Sequence, residues 1–580
     1  MSSYPAELTP LSSLSDELAS QLQARIESVL QDIIKSNVFT TQLGRNSETL
    51  AKLRQELTGV DLDDPTACAK AFAAADISLT DYEQYTPYIA KFSPDSPSQL
   101  SDVVDLLAPG LPMFFGMSSS TSGKASKLVP KYANPEPPFY LGPETTPFMG
   151  KPSGKNVTPV YSGFARFVEV CGQDETKHIS VNALSAYWVR SLLGFTDSER
   201  DYERLSEPVP GLVAPWGAHL ISNYRSIMLT HAAFALAEPH VDTLALVWST
   251  ATVDFFRWID EEWETLIGAI DSGKLPQYPQ TEHVYAGIAT QFHANPKRAE
   301  ELRKIGPPSL TAEGWAPKVW PKLGLLVAIC TGTFARVLPQ VRAYIGPDVL
   351  IRVPMYASTE CFMGTAYDDR IHDVIKMVFE DYIELLEINA DGSDGDLKQP
   401  ASLFLRFHGN MILRIMGDVV EAAGFSPVDG TPLIHYKERR NQSMRLPHAL
   451  ISQADILASV ANIEEFRQTE FTTWLDDRQM PPTVGFFVEA NAGSTVISPS
   501  VRDSIMASLV EANENFAVGA KKGSSVKPTI RVLAPGAFSE FRRWKGEINR
   551  TGSSQIKLPL IMIDTKGQEF LLSRVVDEVH

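Results

Sequence analysis

The chain has 580 residues, of which 70 are acidic and 52 basic, for a formal net charge of -18. That balance excludes a protein that coats nucleic acid or an anionic membrane surface, and any polyanionic ligand would need a locally positive site. Hydrophobic residues make up 44% and charged residues 21%, which excludes the disordered, collagenous and coiled-coil classes, and a length of this order allows about four units or fewer large ones.

In chain order, the first expected element is a helix from about Ser13 to Asn37, with Leu14, Leu18, Leu22, Ile26, Leu30 and Ile33 at helical spacing and Ser13 as its cap. An apolar run from Leu106 to Phe115 reads as a buried strand ending in a knot of serines. Prolines and glycines crowd the stretch from Lys131 to Gly163, where loops and short strands are expected. A long helix is expected from Ser249 to Ile270, stopped by Gly273. Strands follow near Leu325 to Ile329, Leu350 to Tyr356, Ile383 to Ile388, and Leu403 to His408 running on into Ile412 to Val420. After Asn441 a strand from Thr483 to Glu489, a helix carrying Val501 to Phe516, a strand from Thr529 to Leu533 and a short helix before Lys545 read as an independent βαβα unit. The fold class is therefore α/β or mixed α+β, with a large N-terminal domain over residues 1–440 and a small one over 441–580.

Cys68, Cys171, Cys330 and Cys361 lie far apart, with no zinc or redox spacing, which points to a reducing, cytoplasmic setting. The first ten residues lack the basic start and apolar stretch of a secretory signal, and no apolar run reaches the roughly 20 residues of a membrane span.

Four segments could carry chemistry. The run Ser118-Ser119-Ser120-Thr121-Ser122-Gly123-Lys124, with Lys127 after it, offers hydroxyls, backbone amides and cations to phosphate oxygens, although it departs from the Walker spacing and has equally the composition of a flexible linker. Tyr356 to Glu360, at a strand end, supplies a flat ring on which adenine could stack and a carboxylate that could hold Mg2+. Gly417-Asp418 lets backbone approach closely and places a carboxylate that could accept ribose hydroxyls, or is a plain turn. Arg439 and Arg440 could meet ribose or phosphate, or be a solvated basic turn. A further segment, Gln555 to Pro559, presents Lys557 from a flexible loop, where a surface lysine ordinarily has no role.

Taken in order, these segments resemble the auxin-responsive, Gretchen Hagen type acyl-acid amido synthetases of the adenylate-forming superfamily. Ser118 to Lys127 is similar to the family's nucleotide loop, Tyr356-Ala-Ser-Thr-Glu360 to its Y-A-S-S-E, Gly417-Asp-Val-Val-Glu421 to its G-D-V-V-E, and Gln555-Ile-Lys557-Leu-Pro559 to its Q-Y-K-x-P-R. Trp320 to Leu323 and Thr331 to Thr333 look like its lead-in. The sequence departs from the pattern at Ser120 and Lys124, where the family has glycine, and at Leu560, where it has arginine.

The resemblance implies a luciferase-like large domain of sheets, barrel and helices with a small mobile α/β domain, and a monomer. It implies ATP and Mg2+ as cofactors, and a small carboxylic acid and an amino acid as substrates, with neither nucleic acid nor membrane as a partner. Ser118, Ser119, Thr121, Ser122 and Lys127 would meet phosphates, Tyr356 the adenine, Asp418 the ribose, Thr331 and Gly332 the nucleotide or acyl wall, and Glu360 the Mg2+. Arg440 would lie at the hinge, Lys557 would be the mobile catalytic cation, and Tyr224, Arg225 and Met228 would border the acyl pocket. Two alternatives are a ligase with a thiol acceptor such as coenzyme A and a non-catalytic nucleotide or metabolite sensor.

Overall fold

The computed structural model describes residues 9–77, 82–93, 95–118, 127–132, 154–164, 166–193, 195, 200–369, 371–378, 383, 385–387, 410–413, 418–439, 443–447, 449–467, 469–489, 497–549 and 556–579. At its centre four parallel strands lie in the order Asn156–Val157, Thr243–Trp248, Leu325–Ile329, Leu350–Arg352. The second and third are almost wholly apolar, as strands of a covered parallel sheet must be. The helices Tyr224–Ala237, Ser249–Glu261, Trp263–Ser272 and Leu338–Ile345 pack with this sheet into the largest apolar cluster, which includes Leu244, Phe256, Ile267, Trp315 and Trp320.

A seven-stranded antiparallel sheet runs from Tyr356–Ala357 and Phe362–Asp368 through Ile371–Met377, Pro432–Arg439 and Asp418–Phe425 to Asn410–Leu413 and Leu385–Glu387. A five-stranded sheet holds Phe114–Met117 and Leu128–Lys131 at one side, paired antiparallel across the serine-rich run. From Phe471 onward a four-stranded sheet in the order Phe471–Asp476, Thr483–Glu489, Thr529–Leu533, Val575–Val579 carries its own helices. Two apolar clusters are confined to residues between Met444 and Val579, so this part buries a core separate from the large one. The architecture is a two-domain α/β one.

Several elements differ in detail from the expectation. The first helix spans Asp16–Asn37 and is capped by Ser15, whose Oγ accepts from Leu18 N, rather than by Ser13. Its buried stripe ends on Ile34 while Ile33 is 37% exposed, because Leu22, Leu30 and Ile34 continue an i, i+4 row. The long helix after Ser249 breaks at Glu262 (φ -102, ψ 17) into Ser249–Glu261 and Trp263–Ser272, with Gly273 left-handed at the end as expected. The helix after Val501 likewise breaks at Asn513, which caps the next helix by accepting from Phe516 N. The strand starting at Leu350 stops at Arg352, and the segment from Ile412 to Val420 contains parts of two strands, Asn410–Leu413 and Asp418–Phe425. The Leu403 to His408 strand lies outside the described residues.

Candidate active site

Three of the central parallel strands end side by side, and the segments leaving their carboxyl ends carry the candidate residues: Trp248 and Ser249, then Thr331 to Phe334, then Tyr356 to Glu360. In open α/β sheets the space beyond these strand ends is where ligands are held. Tyr356 begins the antiparallel sheet, and its hydroxyl donates to Asp418 Oδ2 at 2.8 Å across 62 positions of sequence. Asp418 is the first residue of its strand, 2% exposed, and pairs in register with Arg439.

The Tyr436 ring packs edge-on to Tyr356 with centroids 5.8 Å apart. It also lies against Gly332, which has φ +58 and no room for a Cβ: one built there would stand 2.7 Å from Tyr436 Cε1. Glycine at 332 is required twice, by its conformation and by this approach.

Beside this group, Ser118 N donates to Lys127 O (3.0 Å) and Lys127 N donates to Ser118 Oγ (2.9 Å), closing the neck of the serine-rich loop. The Lys127 ammonium sits 4.8 Å from the Tyr82 ring centroid. Burial pushes the Tyr82 hydroxyl's pKa up, with the charge of Glu360 contributing in the same direction. Lys131 Nζ donates to Glu360 O at 2.7 Å, and Ser358 Oγ accepts from both Glu360 N (3.0 Å) and Cys361 N (3.1 Å). The Glu360 carboxylate is thus presented from a turn fixed on both sides. Ser119, Thr121, Ser122 and Arg440 lie outside the described residues, as do Ser120 and Lys124.

Lys557 lies in a cleft lined on one side by Tyr224, Trp248, Thr250 and Phe334 and on the other by Glu470, Arg542 and Leu558. Its Nζ is 4.1 Å from the Trp248 ring centroid and 5.7 Å from that of Phe334. The segment behind it is pinned: Thr472 Oγ1 donates to Pro559 O (2.6 Å), and Thr473 donates to Leu560 O through N and through Oγ1 (2.7 Å each). Leu560, 6% exposed, lines the cleft and joins the C-terminal apolar core.

At the edge of this cleft two charge groups, one in each domain, face each other. Tyr224 Oη donates to Asp254 Oδ2 (3.0 Å), Arg257 donates to Asp254 Oδ1 (2.7 Å), and Arg542 pairs with Glu470. Burial pulls the Arg542 guanidinium down, but the charges of Glu470 and Asp254 outweigh it and the net shift is upward. Burial raises the carboxyls of Asp254 and Glu489, and Arg257 opposes the rise in both.

Gly332, Tyr356 and Asp418 therefore meet at one place around Tyr436, Ser118, Lys127 and Glu360 form a second group, and Lys557 stands in the cleft. The short helix Gly332–Val337 joins the first to the third, since Gly332 touches Tyr436 and Phe334 faces Lys557. Of the expected acyl-pocket residues, Tyr224 lines the cleft, Met228 is 2% exposed in the core, and Arg225 is turned to Glu261 and Glu262. The sequence reading missed Trp248, Phe334, Tyr436, Glu470 and Arg542. Only Trp248 carried a signal, an aromatic directly after an apolar strand.

A family profile described as the GH3 family N-terminal domain matches residues 16–350. The chain is 24% identical over 599 residues to the indole-3-acetic acid-amido synthetase GH3.8 of Oryza sativa subsp. indica, covering 97% of this chain and 92% of that protein. Among solved structures, the GH3.15 acyl acid amido synthetase has a TM-score of 0.71 at 19% identity, covering 97% of this chain and 96% of that one. A second structure of that synthetase, in complex with 2,4-DB, has a TM-score of 0.68 at 19% identity, covering 97% and 95%.

Proposed function

The chain belongs to the GH3 family, and from that premise we propose that it is an ATP-dependent acyl acid amido synthetase, joining a small carboxylic acid to the amine of an amino acid. In the first half-reaction a carboxylate oxygen bonds to the α-phosphorus of ATP as the bond to the pyrophosphate oxygen breaks. In the second, the amine nitrogen bonds to the acyl carbon as the carbon–oxygen bond to AMP breaks, and the amine loses a proton. The observation that carries this reading is the meeting of Tyr356, Asp418 and Gly332 around Tyr436, beside a cleft holding Lys557.

The residues present suit a magnesium nucleotide. A buried carboxylate at Asp418 is the acceptor a ribose diol needs, Tyr356 and Tyr436 supply ring faces for a base, and glycine at 332 leaves room for the Tyr436 ring. Glu360 would hold Mg2+, which when bound supplies positive charge beside the phosphates. Ser118, Ser119, Thr121, Ser122 and Lys127 would donate to phosphate oxygens, and Thr331 would border the nucleotide with Gly332. Attack of a carboxylate on a phosphate brings two anions together, and Lys557 supplies the charge that eases it. Residues 441–580 would turn about Arg440, first presenting Lys557 and then admitting the amine.

The test is ATP–pyrophosphate exchange with a panel of carboxylic acids, followed by mass spectrometry of products formed with amino acids or with coenzyme A. Acid-dependent exchange and an amide product are expected. A thioester as the sole product would replace the amide reading, and no exchange with any acid would overturn adenylation.

A further inference from the structure

The strand Thr243–Trp248 pairs with Leu325–Ile329 in strict parallel register as far as Ala245 and Val327, and then carries one extra residue before Val247 meets Ala328. Val247 takes φ +63, a left-handed conformation that a β-branched residue adopts only when its surroundings impose it. The extra residue reverses the alternation of the strand. Trp248 therefore leaves the register of Leu244 and Leu246, both in the core, and pairs with Ile329 at the cleft.

There its ring stacks on Phe334 (centroids 5.0 Å apart, planes 20° apart), and Ser249 Oγ donates to the Phe334 carbonyl at 2.6 Å, which fixes the second ring to the helix that follows the first. The indole Nε1 is buried with no hydrogen-bond partner among the described residues, so the ring is set by its faces. One face meets the Lys557 ammonium at 4.1 Å. An aromatic face attracts an ammonium through the ring's quadrupole.

We infer that Trp248 is a positioning residue for adenylation: with Phe334 it forms an aromatic dock, aimed by the bulge at Val247, that receives Lys557 from the small domain and holds its ammonium in place. This rests on the reading of Lys557 as the mobile cation, and the experiment separates the two. Exchange is measured for Trp248→Leu and Trp248→Phe, each alone and combined with Lys557→Ala, with melting temperature as a control for folding.

Trp248→Leu should lower kcat roughly tenfold, the scale of a desolvated cation–π contact, and leave the KM for ATP within about twofold. Trp248→Phe should recover most of the rate. In the Lys557→Ala background, Trp248→Leu should cause no further loss. In the protein without nucleotide, mass spectrometry should show Lys557 reductively methylated several-fold faster in Trp248→Leu relative to the surface lysines. If Trp248→Leu does not fold, Trp248→Phe and Trp248→Tyr carry the test, with a small kcat loss and faster Lys557 methylation expected in both.

An unchanged kcat in Trp248→Leu, an equal loss in the Lys557→Ala background, or no rescue by phenylalanine would overturn the dock. Should Trp248→Leu not fold, unaltered Lys557 methylation in the other two variants would do so. Wild-type exchange by Lys557→Ala alone would instead overturn the role of Lys557.

Discussion

Gly332 is the residue where the smallest change has the clearest consequence. Gly332→Ala adds a methyl 2.7 Å from the Tyr436 ring and holds alanine at φ +58. The expected outcome is a loss of about 1–3 kcal/mol in stability by urea titration, with ATP affinity by calorimetry falling as Tyr436 is displaced. Asp418→Ala should weaken ATP binding by about 1.5–3 kcal/mol, the worth of a buried charged hydrogen bond, and leave the melting temperature less affected. Unaltered affinity would remove Asp418 from the nucleotide site. Tyr356, Asp418 and Lys557 were legible in the sequence because each sits in a short linear motif. Tyr436 and Phe334 were not, because what marks them is contact with Gly332 and Lys557, which exists only after folding.

Helix and strand type were legible wherever apolar periodicity ran long, as in the Asp16–Asn37 helix and the Leu325–Ile329 strand. Breaks were not. The apolar stripe of Phe256 and Ile259 continues into Trp263 and Ile267 on the far side of Glu262, and periodicity alone does not register the interruption. The bulge before Trp248 was invisible for a related reason: Thr243–Trp248 is apolar on both faces, so a slip of one residue leaves no mark in the pattern. Val247→Gly tests this element. Glycine is free of the strain at φ +63, so the variant should melt no lower than wild type, whereas its exchange rate should fall as Trp248 loses its fixed aim. A marked fall in melting temperature would mean that the valine side chain, rather than the backbone turn, is what the position requires.

Across the whole molecule, the large core contains two buried histidines at one ring-to-ring contact, His219 and His231, with centroids 4.9 Å apart. Burial pushes His219 down to about 4 from the ordinary 6.5, and His231 is pushed well below that ordinary value by burial and by its neighbour. Both are neutral in the fold and take up protons only when it opens. Their contribution is therefore complete above pH about 6.5 and is lost as pH falls toward about 4. Melting temperature should drop across that interval, and His219→Gln should flatten the slope; an unchanged slope would assign the acid limb to other groups. The change of texture after Asn441 falls just before Met444, the first residue of the separate C-terminal apolar clusters. The contact between the two domains was not legible, because Tyr224, Asp254, Glu470 and Arg542 are scattered singly through the sequence.

That contact has a consequence in time. Arg542 is 7% exposed and Asp254 9%, and the charge of Asp254 acts on Arg542 across the seam between the domains, while the side chains of Glu470 and Arg257 reach solvent at its edge. Parting the domains there would separate Arg542 from the opposite charge of Asp254, which would place a barrier on the proposed swing. Arg542→Met with Glu470→Gln would remove the charge that faces Asp254 across the seam, together with its partner inside the small domain, and lower that barrier. In stopped-flow measurements the double variant should part its domains faster than wild type, and overall turnover should rise wherever opening rather than chemistry sets the pace. The seam would then act as a clock, setting how long each acylated intermediate waits for its amine.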